Sequence, residues 1–142
     1  MLVPKYIKLY ENDDIPTAIS SNDKFYTFFD DCIGALDGTH ISAKIPESEQ
    51  AAFRNKKGIL TQNVLGVCDF DDLRFTYVFA GVEGSAHDGK VIDLAFDAGF
   101  KVPAGKYYLA DAGYALSPWC LTPYRGVRYH LKEWSKANLR YL

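Results

Sequence analysis

Three apolar runs of strand length follow one another after an opening segment that is polar and broken by Pro4 and Pro16. They are CIGALD (32–37), QNVLGVCDF (62–70) and RFTYVFAG (74–81). Their apolar, β-branched and aromatic content between turn formers is the pattern of strands. Asp71 and Asp72 fall between the second and third runs and suit a tight antiparallel turn. Ahead of the runs, PTAISSNDKFYTFF predicts a short helix or turn that docks Phe25, Tyr26, Phe28 and Phe29 on the body.

Past the third run the period changes. Val91, Ile92, Ala95 and Phe96 stand at i, i+1, i+4 and i+5, one apolar face of a helix. Ser85 with Asp88 three residues on fits a capping box, and Gly99 is a natural stop. KYYLADAGY (106–114) then predicts a fourth strand finishing on Asp111, as the first finishes on Asp37. The tail carries turn signals at Pro118, Pro123 and Gly126, and predicts a helix from about Leu131. Strand, strand, strand, helix, strand is the order of an α/β domain. A three-stranded meander with a crossover into a fourth strand matches the first half of a ribonuclease-H-like mixed sheet, in which strands one and four lie side by side.

Composition narrows the class. With 142 residues, 48% apolar and 15% aromatic, the chain has the make-up of one folded globular domain. No apolar run approaches the roughly 20 residues of a membrane span, and MLVPKYIKLYENDD lacks the apolar centre of a signal peptide, so a soluble intracellular protein is expected. Cys32, Cys68 and Cys120 are odd in number and set among apolar residues. They read as reduced core residues, and no Cys or His has the spacing of a structural zinc site. The net charge of −2 argues against a protein that coats DNA irrespective of sequence. The charge is unevenly placed, however. Residues 1–31 hold three lysines against six acids, and residues 121–142 hold five cations against one glutamate. That basic end reads either as a phosphate contact or as a solvated face.

Two strand-end aspartates are the candidate chemistry. Phosphodiester cleavage needs an activated nucleophile and a stabilised leaving oxygen, which two divalent ions can serve together. Such hard cations take carboxylate oxygens. Asp37 and Asp111 each follow an apolar strand and are followed within two residues by Gly38 or Gly113, which would let a phosphate backbone approach. Against this, Asp-Gly between apolar residues is also a hairpin-turn signal. Asp88 reads as a helix cap or as a metal contact. His40 alternates to the face opposite Asp37 and reads as a packing or surface residue, or as one that orients the site. His87 reads as solvated or as reaching a phosphate. Arg54, Lys56 and Lys57 in RNKKG, and Arg125 and Arg128 with His130 in PYRGVRYH, are loop cations able to bind phosphate or simply to be solvated. The tyrosines and phenylalanines read mostly as core packing.

DGTH, RNKKG, GSAHD and DAGY occur in that order and spacing, and the stretch from about Phe25 to Trp134 resembles the DDE superfamily endonuclease domain of PIF/Harbinger-type transposases and the nucleases derived from them. The resemblance implies a retroviral-integrase-like ribonuclease H core, with 1–24 as an extension and 25–142 as part of the domain. It implies Mg²⁺ or Mn²⁺ bound by a D-D-E triad, with Asp37 and Asp111 as the first two acids and His40 and Asp88 as possible supporting residues. DNA is the implied substrate and a Myb/SANT-like protein the implied partner. The implied location is the nucleus, or the cytoplasm without that partner. The family's third acid is a glutamate on a later helix, in a segment resembling RNVIERIFG, and the sequence given stops before one. Glu133 lies in YHLKEW, a stretch the family has in addition, and is not assigned that role. The expectation is a chain that cleaves DNA poorly or not at all. The other reading is a domesticated or decayed remnant that binds DNA or protein without catalysis.

Overall fold

The computed structural model describes residues 7–9 and 14–126. The first element is α1 (Thr17–Ser20), then α2 (Asp23–Phe29), opened by Asn22, whose side chain accepts the Lys24 N–H at 3.0 Å. Strand β1 (Cys32–Ser42) follows, then a 3₁₀ turn (Glu47–Glu49) running into α3 (Gln50–Phe53). Strands β2 (Thr61–Cys68) and β3 (Phe75–Glu83) complete the meander. Helix α4 (Asp88–Asp97) crosses to β4 (Tyr107–Leu109), and β5 (Cys120–Leu121) closes the described sheet.

The five strands stand in the order β3-β2-β1-β4-β5. β1 pairs antiparallel with β2, and β2 with β3, while β4 runs parallel to β1 and β5 parallel to β4. This mixed sheet with flanking helices is the ribonuclease-H-like arrangement expected. The three-strand, one-helix, one-strand order was legible in the pattern, whereas β5 was not. Its two residues pair only because the Ser117–Cys120 turn brings Cys120 beside Tyr108.

The core lies between one face of the sheet and α4. Val91, Ile92 and Ala95 from the helix meet Leu36, Leu65, Val67, Phe100 and Tyr108, and Phe96 packs against the same cluster. Burying each large aliphatic side chain contributes about 1.5–3 kcal/mol. Tyr77, Phe96 and Tyr108 pack around Phe100, and Trp119 packs edge-on against Phe96, at centroid distances between 4.9 and 5.8 Å. Cys32 and Cys120 are buried, and Cys68 is half-buried. Gly99, at φ +100°, ends α4 where its backbone must turn left-handed.

Several details differ from expectation. β1 does not end on Asp37 but runs on to Ser42, with Asp37 opposite Gly66. Asp37 is therefore mid-strand, and the hairpin-turn reading of Asp-Gly is excluded. β4 is shorter than expected, and Asp111 lies in the turn beyond it. Of the α2 aromatics Phe29 is half-buried, whereas Phe25, Tyr26 and Phe28 are 46%, 49% and 74% exposed. Ile19 is buried in their place, and Phe25 and Phe29 line an apolar depression with Ala18, Phe70 and Leu109. The helix expected from about Leu131 lies outside the described residues.

Candidate active site

In parallel register, Ala35 pairs with Leu109, the last residue of β4. Asp37 and Asp111 each stand two residues beyond that pair, where the sheet parts. The order of strands reverses between β1 and β4, and in open α/β sheets such a switch point, at the carboxyl ends of parallel strands, is where a ligand has room. β1 continues past the point where β4 stops, so Asp37 is held on rigid strand while Asp111 sits on the turn facing it.

Each aspartate is oriented by a glycine. The Gly38 N–H donates to Asp37 Oδ1 at 2.7 Å, and the Gly113 N–H donates to Asp111 Oδ1 at 2.8 Å. Both carboxylates remain exposed. The third acid is Asp88, half-buried at the first turn of α4. A Cβ built on Gly113 would lie 2.7 Å from Asp88 Oδ2 and 2.9 Å from Asp111 Oδ1, so these two carboxylates share the space that the glycine leaves open. A Cβ on Gly38 would lie 3.1 Å from Tyr114 Oη and 3.4 Å from both Asn63 Oδ1 and Asp88 Oδ1.

The capping box expected from Ser85 and Asp88 is not formed. His87 is the cap, its Nδ1 accepting the Lys90 N–H at 3.1 Å, while the Ser85 N–H donates to the Ala52 carbonyl at 3.1 Å. Moving the cap to His87 leaves the Asp88 carboxylate to face Gly113, and the positive helix end favours it there.

Tyr114 closes the site from below. It is 2% exposed, and its hydroxyl has no hydrogen-bond partner among the described residues. Burial pushes its phenol well above the ordinary value, and the charges of Asp88, Asp37 and Asp111, in that order, push it further. The fields of all three carboxylates thus meet at one hydroxyl. Asn63 is also 2% exposed; its Nδ2 donates to the Ala86 carbonyl at 3.4 Å, and its Oδ1 is without a partner among the described residues. Sequence reading passed over both. Asn63 was findable, because it shares a strand face with the core residues Leu65 and Val67 and breaks their apolar alternation.

The remaining candidates are placed as follows. His40 is exposed, with Nδ1 3.0 Å from the Thr61 hydroxyl, and does not join the aspartates. Arg54 folds back on its own loop, donating to the Gly58 carbonyl at 3.1 Å. Asn55 shapes that loop by accepting the N–H groups of Lys57 and Ile59, which leaves Lys56 and Lys57 exposed and without ion-pair partners among the described residues. Arg125 donates to the Tyr114 carbonyl at 3.3 Å, bracing the turn that carries Asp111. Arg128, His130 and Glu133 lie outside the described residues.

Hard oxygen donors, two carboxylate oxygens around a common point and two orphaned buried polar atoms beside them fit a divalent cation that keeps part of its water. Among the described residues, however, no three His, Cys, Asp or Glu side chains are gathered closely enough to hold a metal ion as they stand. No described helix is long and apolar enough to cross a membrane.

Residues 36–141 match the family described as DDE superfamily endonuclease. The chain is 32% identical over 129 residues to "Putative nuclease HARBI1" of Rattus norvegicus, covering 86% of the chain and 34% of that protein. It is 30% identical over 114 residues to the Homo sapiens protein of the same name, covering 77% and 30%. It is 31% identical over 116 residues to "Protein ALP1-like" of Arabidopsis thaliana, covering 67% and 28%. The chain thus spans about a third of the length of the curated relatives it matches. No solved structure matches it.

Proposed function

The chain belongs to the DDE superfamily endonuclease family, and from that premise we propose that it forms the metal-binding sheet of a divalent-metal-dependent DNA endonuclease, of the kind that hydrolyses phosphodiesters and transfers strands. The observation that carries this reading is the meeting of Asp88 and Asp111 around Gly113, with Asp37 beyond the same β1–β4 pair.

In this reading Asp37 and Asp111 hold the cation, and Asp88 adds a third carboxylate from the N-terminus of α4. A bound Mg²⁺ or Mn²⁺ supplies Lewis-acid stabilisation to the attacking and leaving oxygens of an in-line displacement. The protein's own part is positioning. Gly38 and Gly113 fix the two carboxylates through their N–H groups and leave room for a phosphate to approach. Arg125 steadies the Asp111 turn, and Lys56 and Lys57 offer phosphate contacts that fix DNA without reading its sequence. The family's glutamate has no counterpart after Asp111 among the described residues.

One observation favours a second reading, a DNA- or protein-binding module without catalysis: no three metal-binding side chains are gathered among the described residues. Two assays on the whole chain separate the readings. Calorimetric titration with Mn²⁺ should show binding that Asp37→Asn and Asp111→Asn each abolish, while DNA nicking in Mg²⁺ by this chain should be weak or absent, and robust nicking lost in Asp37→Asn would contradict the expected catalytic defect. DNA binding with no metal binding at all supports the module.

A further inference from the structure

Among the buried polar atoms, Tyr114 Oη and Asn63 Oδ1 lie beside the aspartates. Both belong to side chains only 2% exposed, and neither has a hydrogen-bond partner among the described residues. A buried polar group without a partner is costly, and native proteins keep few of them. These two are not scattered. Both lie within 3.4 Å of the same point above Gly38, and Asp88 Oδ1 lies at that distance too. One is a hydroxyl donor, one an acceptor, and one a carboxylate.

The neighbourhood fixes their roles. Asn63 Nδ2 is engaged by the Ala86 carbonyl, so the amide presents its oxygen to the site. Tyr114 is held from the other side by its N–H to the Asp111 carbonyl at 3.3 Å and by Arg125 on its own carbonyl. Its hydroxyl, buried and without a partner among the described residues, is free to donate into the site. A donor and an acceptor beside three anionic carboxylates match the hydrogen-bonding needs of coordinated water. Such water donates strongly to oxygen acceptors and offers its remaining lone pair to a donor.

We propose that Tyr114 and Asn63 are positioning residues that receive the water shell of a hydrated divalent cation, Tyr114 Oη donating to it and Asn63 Oδ1 accepting from it. This rests on the metal-site reading given above and extends it to two residues that are not acids. The pair selects for a cation that keeps its waters. Mg²⁺ dehydrates reluctantly, so its binding should depend on the pair more than that of Mn²⁺.

The test uses the whole chain and the variants Tyr114→Phe and Asn63→Ala, with Mg²⁺ and Mn²⁺ affinities by calorimetry, bound-water number on Mn²⁺ by water-proton relaxation, and melting temperature without metal. The expected result is a Mg²⁺ affinity lower by about tenfold in each variant, a smaller loss for Mn²⁺ and a changed relaxation enhancement. The metal-free melting temperature of Tyr114→Phe should be unchanged or raised, because an unpartnered hydroxyl is removed. Asn63→Ala provides the second reading should Tyr114→Phe not fold. Unchanged affinities and relaxation in the folded variants overturn this proposal and leave the metal site standing. A wild-type chain that binds neither ion overturns both.

Discussion

The carboxylates of Asp88 and Asp111 come together over Gly113, where a Cβ would stand 2.7 Å from one and 2.9 Å from the other. Both obstructing atoms are ends of side chains, and Gly113 is not in the left-handed region. Gly113→Ala should therefore displace the carboxylates more than it harms the fold. Mn²⁺ affinity should drop by about tenfold or more, while the melting temperature moves by only a few degrees. Calorimetry and thermal melts on one preparation check both halves.

The helix cap gives a second prediction. His87→Ala removes the acceptor of the Lys90 N–H and should destabilise the protein by about 1 kcal/mol. Ser85→Ala should be nearly neutral, because Ser85 is no part of the cap. Urea unfolding of the two variants distinguishes this arrangement from a capping box, in which Ser85→Ala would be the costly change.

Gly34 gives a third. A Cβ there would lie 2.1 Å from the Cys68 carbonyl oxygen and 3.2 Å from the ring of Tyr108, and the first obstacle is backbone. β1 can sit between β2 and β4 only with no side chain at this point. Gly34→Ala should cost about 3 kcal/mol, seen as a lowered denaturation midpoint with an unchanged far-ultraviolet spectrum at low denaturant.

Alkali gives a fourth. Burial pushes the Cys32 thiol up to about 11, and burial, then the charges of Cys32, Asp30 and Asp31, push the Tyr107 phenol up to about 12. Tyr114 is raised in the same direction. A folded value raised above the unfolded one means that the fold prefers the protonated form. This stability is complete below the ordinary thiol and phenol values of 9.0 and 10.0, and is lost as pH rises through the raised ones. Melting temperature should hold steady to about pH 9 and fall between about pH 9 and 12. A melting temperature flat to about pH 11 would contradict it.

Much of this was legible in the chain because hydrophobic period reports burial. Val91, Ile92 and Ala95 announced the buried face of α4, and the runs around Leu36, Leu65 and Val78 announced three strands. Period says little about length, so the continuation of β1 past Asp37 was hidden: Thr39, His40 and Ser42 are polar, yet β2 pairs with them. The helix start was misassigned because Ser85 and His87 both precede Asp88, and only tertiary packing sends the Ser85 N–H to Ala52. Asp37 and Asp111 stood out as acids closing apolar strands. Tyr114 did not, since an aromatic residue after a glycine reads as core, and it is buried. Its hydroxyl becomes meaningful only when three carboxylates from three elements are brought around it.

The proposed metal site requires a divalent cation to draw the carboxylates of Asp37, Asp88 and Asp111 together at the carboxyl ends of β1 and β4. Calorimetric titration of the whole chain with Mn²⁺, alongside Asp37→Asn, Asp88→Asn and Asp111→Asn, tests it directly. The account predicts saturable binding by the wild-type chain, abolished by Asp37→Asn and Asp111→Asn and weakened by Asp88→Asn. Binding that all three variants retain, or no binding by the folded wild-type chain, would contradict it.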